Sequence, residues 1–190
     1  AEQLGVSRST IRTAFHQLVQ EGLVIQTPYT GWSVMSLSAK DAWELYTLRA
    51  SLEAMAAKLV ADRVSREGNG GAAETAVNKA FSDLKVACKA GDNRQVAAAD
   101  MTLHKTIIAF TDHSRLIDQY SRLQHQISIY IQSSDGLVAG AEEIVGQHLP
   151  LIQAISAGDG EAAMRFAMEH NETEGAVLVN HLNESPRRSA

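Results

Sequence analysis

Asp100, His104, His148 and His170 are the residues of this chain best equipped for chemistry. Each falls on the apolar face of a segment with helical spacing, where an unpaired ionisable group is costly to bury. Asp100 and His104 are four apart and stack on one helical face among Val96, Leu103 and Ile107. His148 aligns with Val145, Ile152 and Ile155, and His170 with Phe166 and Val177. Three helices thus aim imidazole or carboxylate inward, and one divalent transition metal per chain satisfies all four. Imidazole with carboxylate suits zinc or nickel first, then iron or manganese, whereas calcium prefers oxygen alone. Two plainer arrangements share the spacing: hydrogen-bonded core histidines, or a buried Asp100–His104 ion pair.

Six helices must hold these residues. Ser38 is a suitable N-cap, with Asp41 in the first turn, for a long helix carrying Leu45, Leu48, Leu52, Met55 and Leu59 to about residue 63. The glycine-rich stretch 66–71 cannot continue it and is expected to be a mobile loop. Further helices are predicted over about 73–90, 93–111, 114–133, 141–157 and 160–182. Ala90-Gly91-Asp92 and Ala157-Gly158-Asp159 each end one helix on glycine and cap the next with aspartate. The expectation is an antiparallel six-helix bundle around a polar centre.

A different unit precedes it. Gly5 closes a helical turn, Ser7 caps a helix to about Gln20, and Ile11, Phe15, Leu18 and Val19 give that helix an apolar side. Residues 23–26 and 32–35 are predicted as strands joined through Thr27-Pro28-Tyr29-Thr30-Gly31. This is the order of a winged helix-turn-helix. The fold class is mostly α: winged helix over 1–36, all-α bundle over 37–184, and a tail over 185–190. In such a reader the N-terminal end of the second helix enters the major groove. Ser7, Arg8, Ser9, Thr10 and Arg12 cluster there. Hydroxyls suit phosphate oxygens, and arginine grips guanine O6 and N7. Gly31 lets the wing backbone approach the duplex.

The net charge of −5 argues against a protein that coats nucleic acid, but residues 1–39 are nearly neutral, so a small DNA-reading unit is compatible with it. No apolar run is long enough to span a bilayer and no signal peptide opens the chain, so no membrane partner and a cytoplasmic location are expected. Cys88 is the single cysteine; no intrachain disulfide forms, and a core role is expected for it. His113, His125 and His181 lack a comparable pattern and are expected at the surface.

The run Ala1 to Ala14, continuing through Glu21-Gly22-Leu23-Val24, resembles the winged helix of GntR-family transcriptional regulators. The remainder is similar to the FCD effector domain of that family's FadR-like branch. The motifs are Glu44-Leu45-Tyr46-Thr47-Leu48-Arg49 with Glu53, Asp100-Met101-Thr102-Leu103-His104, His148-Leu149-Pro150-Leu151-Ile152 and Met168-Glu169-His170. The resemblance implies operator DNA as partner, homodimers, and a metal held by Asp100, His104, His148 and His170 beneath a pocket for a small carboxylate. It also implies a further helix ahead of position 1, so 1–36 is expected to be N-terminally incomplete. The wing lacks the basic residue often found there. Arg49 matches carboxylate geometry and is the expected effector clamp, with Tyr46, Gln126 and Tyr130 as candidate lining. Without the resemblance, Arg49 fits equally a surface pair with Glu53. Two other functions fit the metal set: a sensor for the metal itself, or a metal-dependent hydrolase. The hydrolase lacks a separate carboxylate base at a motif spacing, so no enzyme activity is expected.

Overall fold

The computed structural model describes residues 1–35, 38–68, 70–135, 137 and 140–184. A short 3-10 turn, Glu2–Leu4, ends at Gly5, whose φ of 62° is the left-handed conformation expected there. Helix α1 runs Arg8–Gln20, and the Ser7 hydroxyl accepts from the Thr10 N–H as its N-cap. Strands β1 (Val24–Thr27) and β2 (Gly31–Val34) pair antiparallel, Val24 opposite Val34 and Thr27 opposite Gly31. Each lies one residue from its sequence-predicted span. The Phe15 and Trp32 rings pack 5.1 Å apart and tie helix to wing.

Six helices follow: α2 (Ala39–Glu67), α3 (Ala72–Ala90), α4 (Asn93–Ala109), α5 (Ser114–Asp135), α6 (Ala141–Ser156) and α7 (Gly160–Glu184). The capping chemistry read from sequence is present. Ser38 accepts from the Asp41 N–H, Asp92 from Arg94 and Gln95, and Asp159 from Ala162. Gly91 and Gly158 adopt φ of 76° and 70°. Helix α2 runs past residue 63 through Glu67 before Gly68 stops it. Arg66 and Glu67 are therefore helical, while Asn69 of the expected loop lies outside the described residues, as do 36–37 and the tail 185–190.

The faces of α2 and α7 differ from expectation. Helix α2 buries Ala42, Ala50, Ala54, Ala57 and Ala61 together with Arg49 and Glu53. Of the leucines and methionine expected on its inward face, Leu45 is buried, Leu52 and Leu59 are half-buried, and Leu48 and Met55 are exposed. Helix α7 packs along α2: a Cβ on Gly175 would lie 2.7 Å from the Tyr46 Cβ, so glycine is needed at that approach, while Arg49 and Glu53 reach Glu174 and Asn171 of α7. On α7 the inward residues are Ala163, Ala167, His170, Asn171, Glu174 and Leu178, while Val177 is exposed. Cys88 is buried in the core of α3.

Candidate metal centre and effector site

The bundle brings His104, His148 and His170 together; one ligand nitrogen from each lies within 4.8 Å of the others. All three, with Asp100, are no more than 5% exposed. Helix α4 supplies Asp100 and His104, α6 His148 and α7 His170, the three-helix convergence expected from the spacing.

Hydrogen-bond partners fix which nitrogens face the centre. His148 Nδ1 lies 2.8 Å from the Ile144 carbonyl, which only accepts, so Nδ1 carries the proton. In the neutral ring Nε2 then has a free lone pair. It points at Asp100 Oδ1, 2.8 Å away, and at His104 Nε2, 3.3 Å away. His104 Nδ1 in turn meets Glu53 Oε2 at 2.9 Å, which in the neutral ring leaves its Nε2 unprotonated, 3.5 Å from Asp100 Oδ2. Both Asp100 oxygens therefore have close nitrogen neighbours yet receive no hydrogen bond from the neutral rings. The two His170 nitrogens are buried without a hydrogen-bond partner among the described residues. Lone pairs converging on a carboxylate need a shared cation, and the donor set fits a divalent transition metal.

With protons as the only cations, burial lowers the His104 pKa, but Glu53 and Asp100 prevail and lift it to about 10. Asp100 raises His148 in the same way against burial. Burial, then the charge of His148 and His104, holds His170 well below the ordinary imidazole value. Asp100, despite burial, is held well below the usual carboxylate range by the two histidines.

Glu53, read from sequence only as a motif residue and a partner of Arg49, is the hub of the centre. Its Oε1 accepts from Arg49 Nε at 2.8 Å and from the Tyr120 hydroxyl at 2.6 Å. Its Oε2 accepts from Asn171 Nδ2 at 2.9 Å besides His104. Donors from α2, α4, α5 and α7 saturate one carboxylate, and such outer partners set the tautomer and orientation of a ligating imidazole.

The four expected effector residues do not share one pocket. Arg49 is 1% exposed, between Glu53 and Glu174, so it is no surface pair. Its guanidinium lies 5.4 Å from the Tyr46 ring centroid, and the Tyr46 hydroxyl pairs with Ser134. Gln126 instead donates to the Glu21 carbonyl at the end of α1, 3.0 Å away. Gln126 and Tyr130 line a cavity of about 300 Å³ between the winged helix and the bundle, with Ile25, Met35 and Leu123. His125 pairs with the Glu21 carboxylate at 3.2 Å. His113 is half-buried and accepts from the Leu116 N–H, capping α5, a role its position just before a predicted helix start could have signalled.

At the DNA-reading end, Ser7, Arg8, Ser9, Thr10 and Arg12 are all exposed. The Ser7 hydroxyl is shared with those of Ser9 and Thr10, at 2.7 and 2.8 Å. Gly31 is exposed with φ of 109°, a conformation that favours glycine, beside Tyr29 at φ 66°.

A helix-turn-helix with a β wing, joined to a helical bundle with an inward polar centre, defines a two-part regulator. The FCD domain family matches residues 44–173. The chain belongs to that family, among the GntR-type transcriptional regulators. It is 29% identical over 185 residues to a probable D-xylose utilization operon transcriptional repressor of Paenarthrobacter nicotinovorans, covering 96% of this chain and 77% of that one. It superposes on McbR/YncC of E. coli with a TM-score of 0.74 at 20% identity, covering 95% and 84% of the two chains. A GntR regulator from Rhodococcus gives 0.72 at 20% identity, covering 94% and 83%. No helix among the described residues is long and apolar enough to cross a membrane.

Proposed function

We propose that this chain is an operator-binding regulator whose DNA affinity is set at a metal centre held by Asp100, His104, His148 and His170. The single observation that carries the reading is the convergence of the His104 and His148 Nε2 lone pairs on Asp100, with no hydrogen between them in the neutral rings. When bound, the metal supplies a Lewis-acidic position for a ligand oxygen. The chain's own residues do the rest: Glu53 orients His104, the Ile144 carbonyl orients His148, and the bundle excludes water.

Ser7, Arg8, Ser9, Thr10, Arg12 and Gly31 are assigned to the DNA face. A homodimer suits a palindromic operator. Leu48, Leu52, Met55 and Leu59 repeat at the alternating four-three spacing of a helix-pairing seam and are only partly covered within the chain, which supports α2 as the dimer contact. Effector at the metal favours one packing of the bundle and thereby changes the separation of the two readers. A second reading, in which the ion alone is the signal, is favoured by the near-complete burial of all four ligands.

The experiment is elemental analysis of tag-free protein alongside operator titration. About one transition-metal ion per chain is expected, lost in His148→Ala and in His170→Ala, with helix content retained. Operator affinity that responds to added metal alone supports the sensor; response only to metal with a small molecule supports the metabolite receptor. Metal-free wild-type protein that is regulated normally overturns both.

A further inference from the structure

The charges around the centre bear on which small molecule it admits, an inference that rests on the metal reading above. Arg49 is buried with Nε donating to Glu53 at 2.8 Å and Nη1 to Glu174 at 3.2 Å. The other Glu174 oxygen, Oε1, lies 3.6 Å from His170 Nε2. One side chain of α7 thus presents its carboxylate both to the guanidinium and to an inward imidazole, the two neighbours a small acid would seek. With a divalent ion and neutral imidazoles, Asp100, Glu53 and Glu174 balance the ion and Arg49, so the formal sum is zero. Another buried anion would be left without a counter-charge, which is costly.

The unused hydrogen-bonding capacity is mixed. Among the described residues, Arg49 Nη2 is a buried donor without a partner and Asn171 Oδ1 a buried acceptor without one. His170 also lies on the wall of a cleft of about 210 Å³ between α6 and α7, with Gln147, Pro150, Phe166, Glu169 and Thr173. There the Gln147 amide oxygen is buried and has no partner among the described residues. Among the described residues, the Glu169 carboxylate has a loose, exposed pairing with Arg165 at 3.8 Å. Hydroxyl groups donate and accept, whereas a carboxylate only accepts and would meet these oxygens unfavourably.

We propose that Glu174 is the specificity-determining residue of the effector site: its carboxylate takes the acid's place beside Arg49 and His170, and the site admits a neutral polyhydroxylated ligand through the α6–α7 cleft. The small carboxylate implied by family resemblance is replaced, in this chain, by one that the chain carries itself.

The test uses the full chain loaded with cobalt(II), whose visible spectrum changes when a ligand joins its coordination shell. The probes are glucitol and gluconate, the same carbon chain ending in a neutral hydroxymethyl or in a carboxylate. In the wild type, glucitol is expected to move the spectrum and gluconate not, at equal concentration. In Glu174→Gln, gluconate binding is expected to strengthen by about tenfold or more. Gluconate bound equally by both proteins, gluconate preferred over glucitol by the wild type, or a spectrum that neither probe moves, overturns the proposal. Cobalt stoichiometry is read first. Failure of the wild type to load overturns the metal reading itself, whereas normal loading followed by any of those three results overturns only the role of Glu174.

Discussion

Glu53 Oε2 lies 2.9 Å from His104 Nδ1, and this contact decides which face of the imidazole is free. A proton held on Nδ1 by a buried carboxylate leaves Nε2 as the donor to the centre. Removing the charge while keeping the shape should therefore weaken metal binding without emptying the site. Glu53→Gln is expected to lose about 10- to 100-fold in metal affinity. Competition against a chromophoric chelator measures it. Glu53→Ala should also destabilise the fold by about 3–5 kcal/mol, because Arg49 is left buried with one partner fewer. Unchanged affinity in the glutamine variant would remove Glu53 from the centre's outer shell.

Metal loading and proton binding compete at His104. In the metal-free chain its pKa stands near 10, so a proton occupies the site at neutral pH. Loading displaces it, and apparent affinity should rise by about tenfold per pH unit for each proton released, up to roughly pH 10. The stability of the metal-free chain runs the other way. A pKa raised on folding contributes stability that is complete below about 6.5, the unfolded value, and is lost as pH climbs through 10. Thermal melts of chelator-treated and loaded protein across pH 6–10 should diverge. Parallel curves would show that no proton is exchanged for the ion.

Arg8 and Arg12 lie on the exposed side of α1, near its N-cap Ser7. Alanine at either is expected to weaken operator binding and leave the melting temperature unchanged. If Arg8 reads a base, discrimination should fall by about 1–3 kcal/mol at one operator position; a phosphate contact instead lowers affinity for all sequences alike. Titrations of operator and scrambled duplexes separate the two. Wild-type affinity in both variants would place the DNA face elsewhere.

One helix touches both ends of the molecule. On α5, Tyr120 donates to Glu53 behind the centre, and Gln126, six residues on, donates to the carbonyl of Glu21 behind the reader. Gln126→Ala is accordingly expected to leave metal affinity and metal-free operator affinity intact. The effect of metal on operator binding should shrink, by less than the 1–3 kcal/mol typical of a whole allosteric coupling. Four operator titrations, with and without metal for each protein, complete the cycle. An unchanged coupling would show that α5 carries none of it.

Much of this was legible in the sequence, and the exceptions share a cause. Helical spacing gave the phase of Asp100, His104 and His148, and glycine–aspartate pairs gave the joints between helices. Spacing shows that two residues share a face, however, not which neighbour the face meets. Arg49 and Glu53 look like any surface pair four apart; close packing of α2 on α7 is what buries them. Asn171 and Glu174 pass for solvated residues beside His170, whereas Val177, apolar and seven residues on, is exposed. Gln126 and Tyr130 lie on the same helix as Tyr120, but further along, where α5 also meets the winged helix.

Gly22 sits at that junction with φ of 69°, and a Cβ built on it would stand 1.8 Å from Gln126 Nε2. Glycine here serves both the left-handed backbone and the close approach of the Gln126 amide at the seam between the two halves. A winged helix transplanted from another regulator with a side chain at this place would strain the left-handed backbone and displace the flexible Gln126 amide from the Glu21 carbonyl. A chimera of that kind would keep a sound reader and a sound bundle, joined through one hydrogen bond fewer.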